Sequence, residues 1–318
     1  MSELKEILPN LKEGEPLAPH TNFKIGGPAK YFAEISDLDI LSKTLQWLSQ
    51  NHWPYFVLGG GTNILVNDQG FDGLVIKLVN NQIKILEHNQ VLVEAGAKPA
   101  DLITTTLAAG LTGLEFAAGI PGSVGGGIYG NAGTFGVAFD SVVEKVIALT
   151  PSGEIKEVSK ADCGFQYRHS QFKINHWLIF SAQLQLAKGD VEESKKIIKE
   201  RIDKRLISQP YNVPSAGCAF KNIVIDQNIM EALAKHHKEI PEQFIKNGKI
   251  PTAWLIEQLD LKGKAMGSAQ ISDKHANYII NTGQAKAADV VMLMSFIKQQ
   301  VRDKLSIQLE EEVQLVGF

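Results

Sequence analysis

Hydrophobic positions recur with two periods along this chain, and the switch from one period to the other separates helix-like from strand-like segments. Leu38, Leu41, Leu45 and Leu48 fall three and four apart, the spacing that lines one face of a helix, and Ser36 with Asp39 reads as a capping box ahead of them. After Pro54, the short apolar run from Tyr55 to Leu58 stops at three glycines and reads as a strand. Further strand candidates, rich in β-branched residues, fall at 74–78, 83–86 and 91–95. Pro99 suits the first turn of a helix that runs through Leu102, Thr106 and Leu107 and ends near Gly110. Strands follow at 142–149 and 178–184. Asp190 and Glu193 then cap a helix with Ile198, Ile202 and Leu206 as its buried stripe, and Gln209, Pro210 and Pro214 break the chain, which puts a domain boundary near 208.

The last third predicts helices at 251–260 and 287–304. The second carries Val290, Leu293, Met294, Ile297, Val301 and Leu305 on one stripe. Between them 276–280 reads as a strand, and the terminal run 309–316 is strand-like except where Glu310, Glu311 and Glu312 interrupt it. Three successive acids there read as solvated ends.

Neither period survives between Gly119 and Gly136, where GIPGSVGGGIYGNAGTFG predicts a long loop. Loops above ~12–15 residues in a compact domain are usually functional or disordered, and the bulky Ile120, Val124, Ile128, Tyr129 and Phe135 argue against disorder. A second cluster, Gly59-Gly60-Gly61-Thr62-Asn63, follows the strand at 55–58. Successive glycines reach positive φ and let backbone N–H groups converge into nests for phosphate oxygens, so the two clusters could cradle one diphosphate; the other reading is a run of tight turns. Gly125, Gly127 and Gly130 match GxGxxG literally, but no buried strand precedes them and no apolar helix follows, so a Rossmann site is not predicted. Neither Gly248-Lys249 nor Gly263-Lys264 is followed by Ser or Thr, which excludes a P-loop.

Composition narrows the function class. The 318 residues are 44% hydrophobic and 21% charged, and 32 Lys plus Arg against 35 Asp plus Glu leave a net charge of −3. At ~150 residues per domain the length predicts about two domains, perhaps three small ones. Nucleic-acid binding needs a clustered cationic excess that is missing here, so small-molecule chemistry is the better expectation. The helix after Asp190 concentrates Lys195, Lys196, Lys199, Arg201, Lys204 and Arg205, either as a solvated face or as a phosphate-binding one. Cys163 and Cys218 lack both a disulfide framework and CxxC spacing, and no HExxH or carboxylate cluster predicts a metal. The N-terminus has no apolar signal core and no run of ~18 apolar residues occurs, so a cytoplasmic protein without a membrane segment is expected.

The ordered motifs NFKIGG at 22–27, LGGGTNILV at 58–66, GIPGSVGGGIYGNAG at 119–133, YRHS at 167–170, GCAFKN at 217–222, KHAN at 274–277 and the end from Glu310 to Gly317 closely resemble one family over essentially the whole chain. That family is the UDP-N-acetylenolpyruvoylglucosamine reductases of bacterial peptidoglycan synthesis. The resemblance implies an α+β, FAD-binding PCMH or vanillyl-alcohol-oxidase-like fold in two subdomains plus a C-terminal α+β substrate-binding domain. Subdomain 1 would span 1–66, rejoined by 306–318; subdomain 2 would span 67–208, and the substrate domain 209–305. No counterpart of the family's extra capping segment is visible between Leu184 and Pro210, which resembles the shorter, second type.

The resemblance also implies roles. FAD, bound non-covalently, would meet the backbone of Gly59, Gly60 and Gly61, the side chains of Thr62 and Asn63, and Gly122, Ser123, Gly125, Gly126, Gly127, Asn131 and Ala132. NADPH would reduce it. The substrate, UDP-N-acetylglucosamine enolpyruvate, would be held by Lys221, Asn222, Gln209, Lys274 and Asn277. By resemblance Arg168 would stabilise the carboxylate on which charge develops, Glu312 would polarise it, and Cys218 would protonate the carbon, where many relatives use a serine. Read alone, Arg168 is an ordinary surface or structural arginine and Cys218 a small buried hydrophobe. Cys163 reads as packing, His275 as a substrate-loop or structural residue, and His88, His236 and His237 as surface. Two competing functions remain at this level: a flavin oxidase of alcohols or sugar lactones, and a flavin- or nucleotide-sugar-binding protein without chemistry. The oligomeric state is not readable.

Overall fold

The apolar run Phe71–Leu78 is buried on both faces and becomes an inner strand of a four-stranded sheet ordered Lys12–Pro16, Pro28–Ile35, Phe71–Leu78, Tyr55–Leu58. The last three strands run parallel, so each crossover must pass over the sheet. The helix Leu38–Gln50 makes one crossover, with Leu41, Leu45 and Leu48 buried as the spacing predicts. Its cap is Asp37 and not Ser36: the Asp37 carboxylate accepts from the Asp39 and Ile40 N–H groups, both at 2.9 Å. An ionised acceptor at that end also meets the helix dipole.

An antiparallel five-stranded sheet follows in the order Ile155–Ser159, Val143–Leu149, Leu178–Gln185, Gln90–Glu94, Ile83–Ile85. In the computed structural model, which describes residues 2–318, both sheets belong to one compact unit made of the chain up to Glu15, Ala29–Gly61 and Phe71–Arg205. One continuous apolar core runs through it, joining Ile35, Leu45 and Ile76 to Val93, Val146, Phe172 and Leu184. The expected division at 66 and 67 therefore does not coincide with a break in the core.

The second unit comprises Pro16–Pro28, Thr62–Gly70 and Leu206–Phe318. The helix Ala287–Leu305 buries all six residues of its predicted stripe. It packs with Phe23, Leu65, Phe220, Leu255 and Ile271 in a second core. The sheet of this unit is ordered Ser215–Cys218, Tyr278–Asn281, Ala269–Ile271, Ala265–Met266. Strand Gln314–Val316 pairs in parallel with Ile64–Val66, so the chain's end returns to the segment after the first glycine cluster.

Two expectations need correction. The helix Val191–Ser208 is capped by Asp190 as expected, but its stripe is not buried: Ile198 and Ile202 are half-covered and Leu206 is 42% exposed. Lys195, Lys196 and Lys199 pair with Glu192, Glu193 and Asp203 of the same helix, as a solvated face does. The terminal acids are not loose either, because Glu311 is half-buried and its carboxylate meets Lys298 at 3.0 Å.

Candidate active site

Strand Tyr55–Leu58 delivers Gly59–Gly61 against the second glycine segment within the first unit. A Cβ on Gly60 would lie 2.3 Å from the Gly122 Cα, and one on Gly59 would lie 2.9 Å from the Ser123 Oγ. A side chain at Gly60 would run into the Gly122 backbone and one at Gly59 would have to displace the Ser123 hydroxyl, so what lies there is bare backbone, with Gly122 at φ +106°. Gly60 is exposed, and Gly59, Gly122 and Ser123 are half-exposed. A surface of this kind, without side chains, suits the close approach of a dinucleotide's diphosphate, so the cradle fits an FAD.

The long segment is not the continuous loop its composition predicts. Residues Val124–Tyr129 form a short helix, with the Ser123 Oγ accepting from the Gly126 N–H at 3.2 Å. Its glycine content hid it. Gly125 and Gly127 are buried packing positions: a Cβ would come 2.6 Å from that of Ala95 and 2.5 Å from the Phe139 ring. Their place inside the helix also explains why the GxGxxG match has no Rossmann context.

Asn131 is 3% exposed, and its carboxamide is committed within the protein. The Oδ1 accepts from the Asp140 N–H at 3.0 Å, while Nδ2 donates to Asp140 Oδ2 at 3.2 Å and to the Gln166 carbonyl at 3.1 Å. Those bonds make it a support for the neighbouring turn. Ala132 donates its N–H to the Gly127 carbonyl at 2.7 Å.

Arg168 stands on that turn. Gln166 and His169 exchange both backbone hydrogen bonds, at 3.1 and 3.2 Å, which leaves Tyr167 and Arg168 at the tip. Arg168 has φ +55°, a left-handed conformation that costs a non-glycine residue roughly 1–2 kcal/mol and persists only where its surroundings impose it. Three groups do so: Asn131 at Gln166, Ser170 donating to the Tyr129 carbonyl at 2.6 Å, and Lys173 donating to the Arg168 carbonyl at 3.2 Å. The guanidinium is half-exposed, lies 5.2 Å from the Tyr167 ring and reaches the Gly133 carbonyl at 3.5 Å. Burial pushes the Tyr129 and Tyr55 phenols upward, so both stay neutral.

In the second unit, a register shift places Cys218. Ser215 pairs with Ile280 but Cys218 pairs with Tyr278, so the strand carries one extra residue, and Gly217 takes φ +79° there. A bulge changes which face the following side chain occupies. The adjoining Ala219 carbonyl accepts from the Glu312 N–H at 2.9 Å, and the Asn63 Nδ2 donates to the Glu312 carbonyl at 2.9 Å. Cys218, Glu312 and Asn63 thus stand on directly bonded segments, although 249 residues separate the last two.

The expected substrate residues divide. Lys221 pairs with Glu310, and the Asn222 Oδ1 accepts from the Thr252 N–H at 3.2 Å; the buried Thr252, which nothing in the sequence marks, also donates to the Lys221 carbonyl. Lys274 is committed to the Leu206 carbonyl at 2.6 Å, and Gln209 is half-buried. Asn277 is 2% exposed and bonds to the Phe220 backbone through both its Oδ1 and its Nδ2, so it does not face a ligand. Cys163 is fully buried, and burial with the neighbouring Asp162 pushes its thiol up to about 11, as packing residues behave. Among the described residues no group of three His, Cys, Asp or Glu side chains is placed to hold a metal, and no helix is long and apolar enough to cross a membrane.

Comparison with known proteins bears on both units. A family model described as "UDP-N-acetylenolpyruvoylglucosamine reductase, C-terminal domain" matches residues 209–316, and one described as "FAD binding domain" matches residues 29–159. The UDP-N-acetylenolpyruvoylglucosamine reductase of Carboxydothermus hydrogenoformans is 40% identical over 98% of this chain and 96% of its own length. That of Caldanaerobacter subterraneus subsp. tengcongensis is 38% identical over 100% and 98%. Among solved structures, the UDP-N-acetylenolpyruvylglucosamine reductase of Thermus caldophilus is similar with a TM-score of 0.75 at 29% identity, covering 96% of this chain and 98% of that one.

Proposed function

The chain belongs to the UDP-N-acetylenolpyruvoylglucosamine reductases, an FAD-dependent oxidoreductase on an FAD-binding α+β fold, and we propose that it reduces UDP-N-acetylglucosamine enolpyruvate to UDP-N-acetylmuramate with NADPH as reductant. The work belongs to the cytoplasm, on small-molecule partners alone. FAD, held non-covalently on the backbone at Gly59–Gly61 and Gly122–Ser123, would supply a hydride for the terminal vinyl carbon of the enolpyruvyl ether; the GGGTN segment has no histidine to attach it covalently.

The residues of the chain act on the charge that follows. As the new C–H bond forms, the electron pair of the double bond moves toward the carboxylate. Arg168 meets that growing charge with a guanidinium whose turn is already fixed, so no reorganisation is needed at the moment of reaction. Glu312 polarises the same carboxylate. Cys218 gives its thiol proton to the adjacent carbon: the S–H bond breaks, the second C–H bond forms, and the thiolate takes a proton back from water. A thiol, with an ordinary pKa of ~8.5, is a stronger acid for this step than the hydroxyl found in many relatives.

The observation that supports this reading is the bond from the Glu312 N–H to the Ala219 carbonyl, which joins the segments that carry Glu312 and Cys218. The test separates the two half-reactions. Cys218→Ala is expected to leave NADPH reduction of the flavin intact and to slow reoxidation by the enolpyruvate about 10²- to 10⁴-fold, the usual worth of a general acid. Cys218→Ser is expected to keep activity. An equal loss in both half-reactions defeats the proton-donor role, substrate-independent peroxide points to an oxidase, and a colourless protein points to a binding module.

A further inference from the structure

Asn277 precedes the strand Tyr278–Asn281, buried beneath the Cys218 segment. Its carboxamide makes two opposed bonds to one residue: Oδ1 accepts from the Phe220 N–H at 3.1 Å and Nδ2 donates to the Phe220 carbonyl at 2.8 Å. Its own backbone carbonyl accepts from the Ala219 N–H at 2.7 Å. On the other side, the Ala219 carbonyl accepts from Glu312, the Lys221 N–H donates to the Glu310 carbonyl at 2.9 Å, and Phe220 bridges Glu311.

The strand ends at Cys218, so residues 219–221 have left its ladder with Tyr278–Asn281 but still carry backbone groups that must be paired. Asn277 supplies on one side what a neighbouring strand would supply. Only a planar group with a donor and an acceptor can bond the N–H and C=O of the same residue at once; leucine has neither, and an ionised aspartate has no donor.

We infer that Asn277 is a positioning residue, whose carboxamide fixes the backbone of 219–220 between itself and residues 310–313 and thereby sets the placement of the Cys218 thiol relative to Glu312. The inference rests on the reductase reading above. It replaces the substrate-ligand role expected of Asn277, because the side chain is covered and both of its polar atoms are engaged.

The test uses flavin-loaded Asn277→Ala and Asn277→Asp in rapid-mixing experiments without oxygen. Reduction by NADPH is expected to stay within about twofold of the parent, while the limiting rate of reoxidation by UDP-N-acetylglucosamine enolpyruvate in Asn277→Ala falls about tenfold to a hundredfold, with substrate KM little changed. Asn277→Asp adds a readout that a merely structural role lacks. Burial against the Phe220 carbonyl raises this carboxyl above the ordinary ~3.9, so it is ionised and reoxidation is slow at about pH 8, and as pH falls toward about 5.5 it takes up a proton, donates again and the rate recovers toward the parent's at that pH. Parent-like rates in both variants, or an Asn277→Asp profile parallel to the parent's, overturn the inference. A raised KM at an unchanged limiting rate overturns it too, by restoring a ligand role. Should Asn277→Ala lose its flavin, the aspartate profile decides. Failure of the parent itself to be reoxidised by the enolpyruvate sinks the reductase reading instead, so the two failures are distinct.

Discussion

The two cysteines differ in everything except their side chain. Cys163 is covered completely and its thiol is pushed up to about 11, whereas Cys218 is partly exposed on a bulged strand. Iodoacetamide at pH 8 is therefore expected to alkylate Cys218 well before Cys163 in the folded holoenzyme, with loss of activity tracking the first site by peptide mass mapping. Preferential labelling of Cys163 would contradict the burial. His275 offers a second test. Burial lowers its pKa first, the charge of Glu257 opposes, and Lys262 adds to the lowering. The imidazole stands 4.7 Å from the Tyr278 ring, and its buried Nδ1 has no hydrogen-bond partner. Because the unfolded chain binds a proton near pH 6.5 and the folded one only below that, stability is full above ~6.5 and declines as pH falls through the folded pKa. His275→Gln should flatten that acid-side decline in the thermal midpoint; an unchanged slope refutes it. The motifs proposed Arg168, Cys218 and Glu312 for chemistry and Asn131 and Asn277 for ligand contact, and the structure commits the carboxamides of both asparagines to protein groups. An asparagine in a motif looks the same whether it holds a cofactor or a peptide, and only the partners of its carboxamide tell the two apart.

Local signals fixed most elements and misplaced some ends. The helix Leu38–Gln50 was plain from its leucines, yet its cap moved one residue because Asp37 and Ser36 both suit the role by type. Asp37→Ala is expected to cost about 1 kcal/mol, seen as a lower thermal midpoint, while Ser36→Ala is close to silent. A reversed order would show the cap misassigned. The helix Val124–Tyr129 was hidden because three of its six residues are glycine, two of which, Gly125 and Gly127, lie against Ala95 and Phe139 at the expense of helical propensity. The helix Gln227–Lys235, capped by Asp226 at the Ile229 N–H at 2.8 Å, was also missed, although Asp226 and the helical spacing of Ile229 and Leu233 mark it; it is short and only Leu233 is fully buried. On Val191–Ser208 the periodic isoleucines and leucine promised a buried stripe that is covered only in part. Periodicity reports which face is apolar, and whether anything covers that face is a property of the rest of the fold.

At the scale of the molecule, continuity of the cores differs from continuity of the chain. Residues 16–28 and 62–70 belong to the second unit although long stretches of the first lie between and after them. The terminal strand Gln314–Val316 completes that unit by pairing with Ile64–Val66. Truncation after Val313 keeps Arg168, Cys218 and Glu312 but removes this strand. It is expected to lower the thermal midpoint and to abolish reoxidation of the flavin by substrate; full activity in the truncated protein would show that the strand is dispensable.

By itself the sequence determined the helical and strand periods, the near-neutral small-molecule character, the glycine segments and, through its motifs, the family. These are local properties, written in spacing and residue type. Tertiary structure alone decided that Gly60 abuts Gly122, that the Arg168 turn is held in a left-handed conformation, that a bulge at Gly217 places Cys218, and that Asn277 and Glu312 grip the two sides of one short segment. Each joins residues tens to hundreds of positions apart. Such pairings follow from which backbone groups are left unpaired once the cores close, and no local pattern records that.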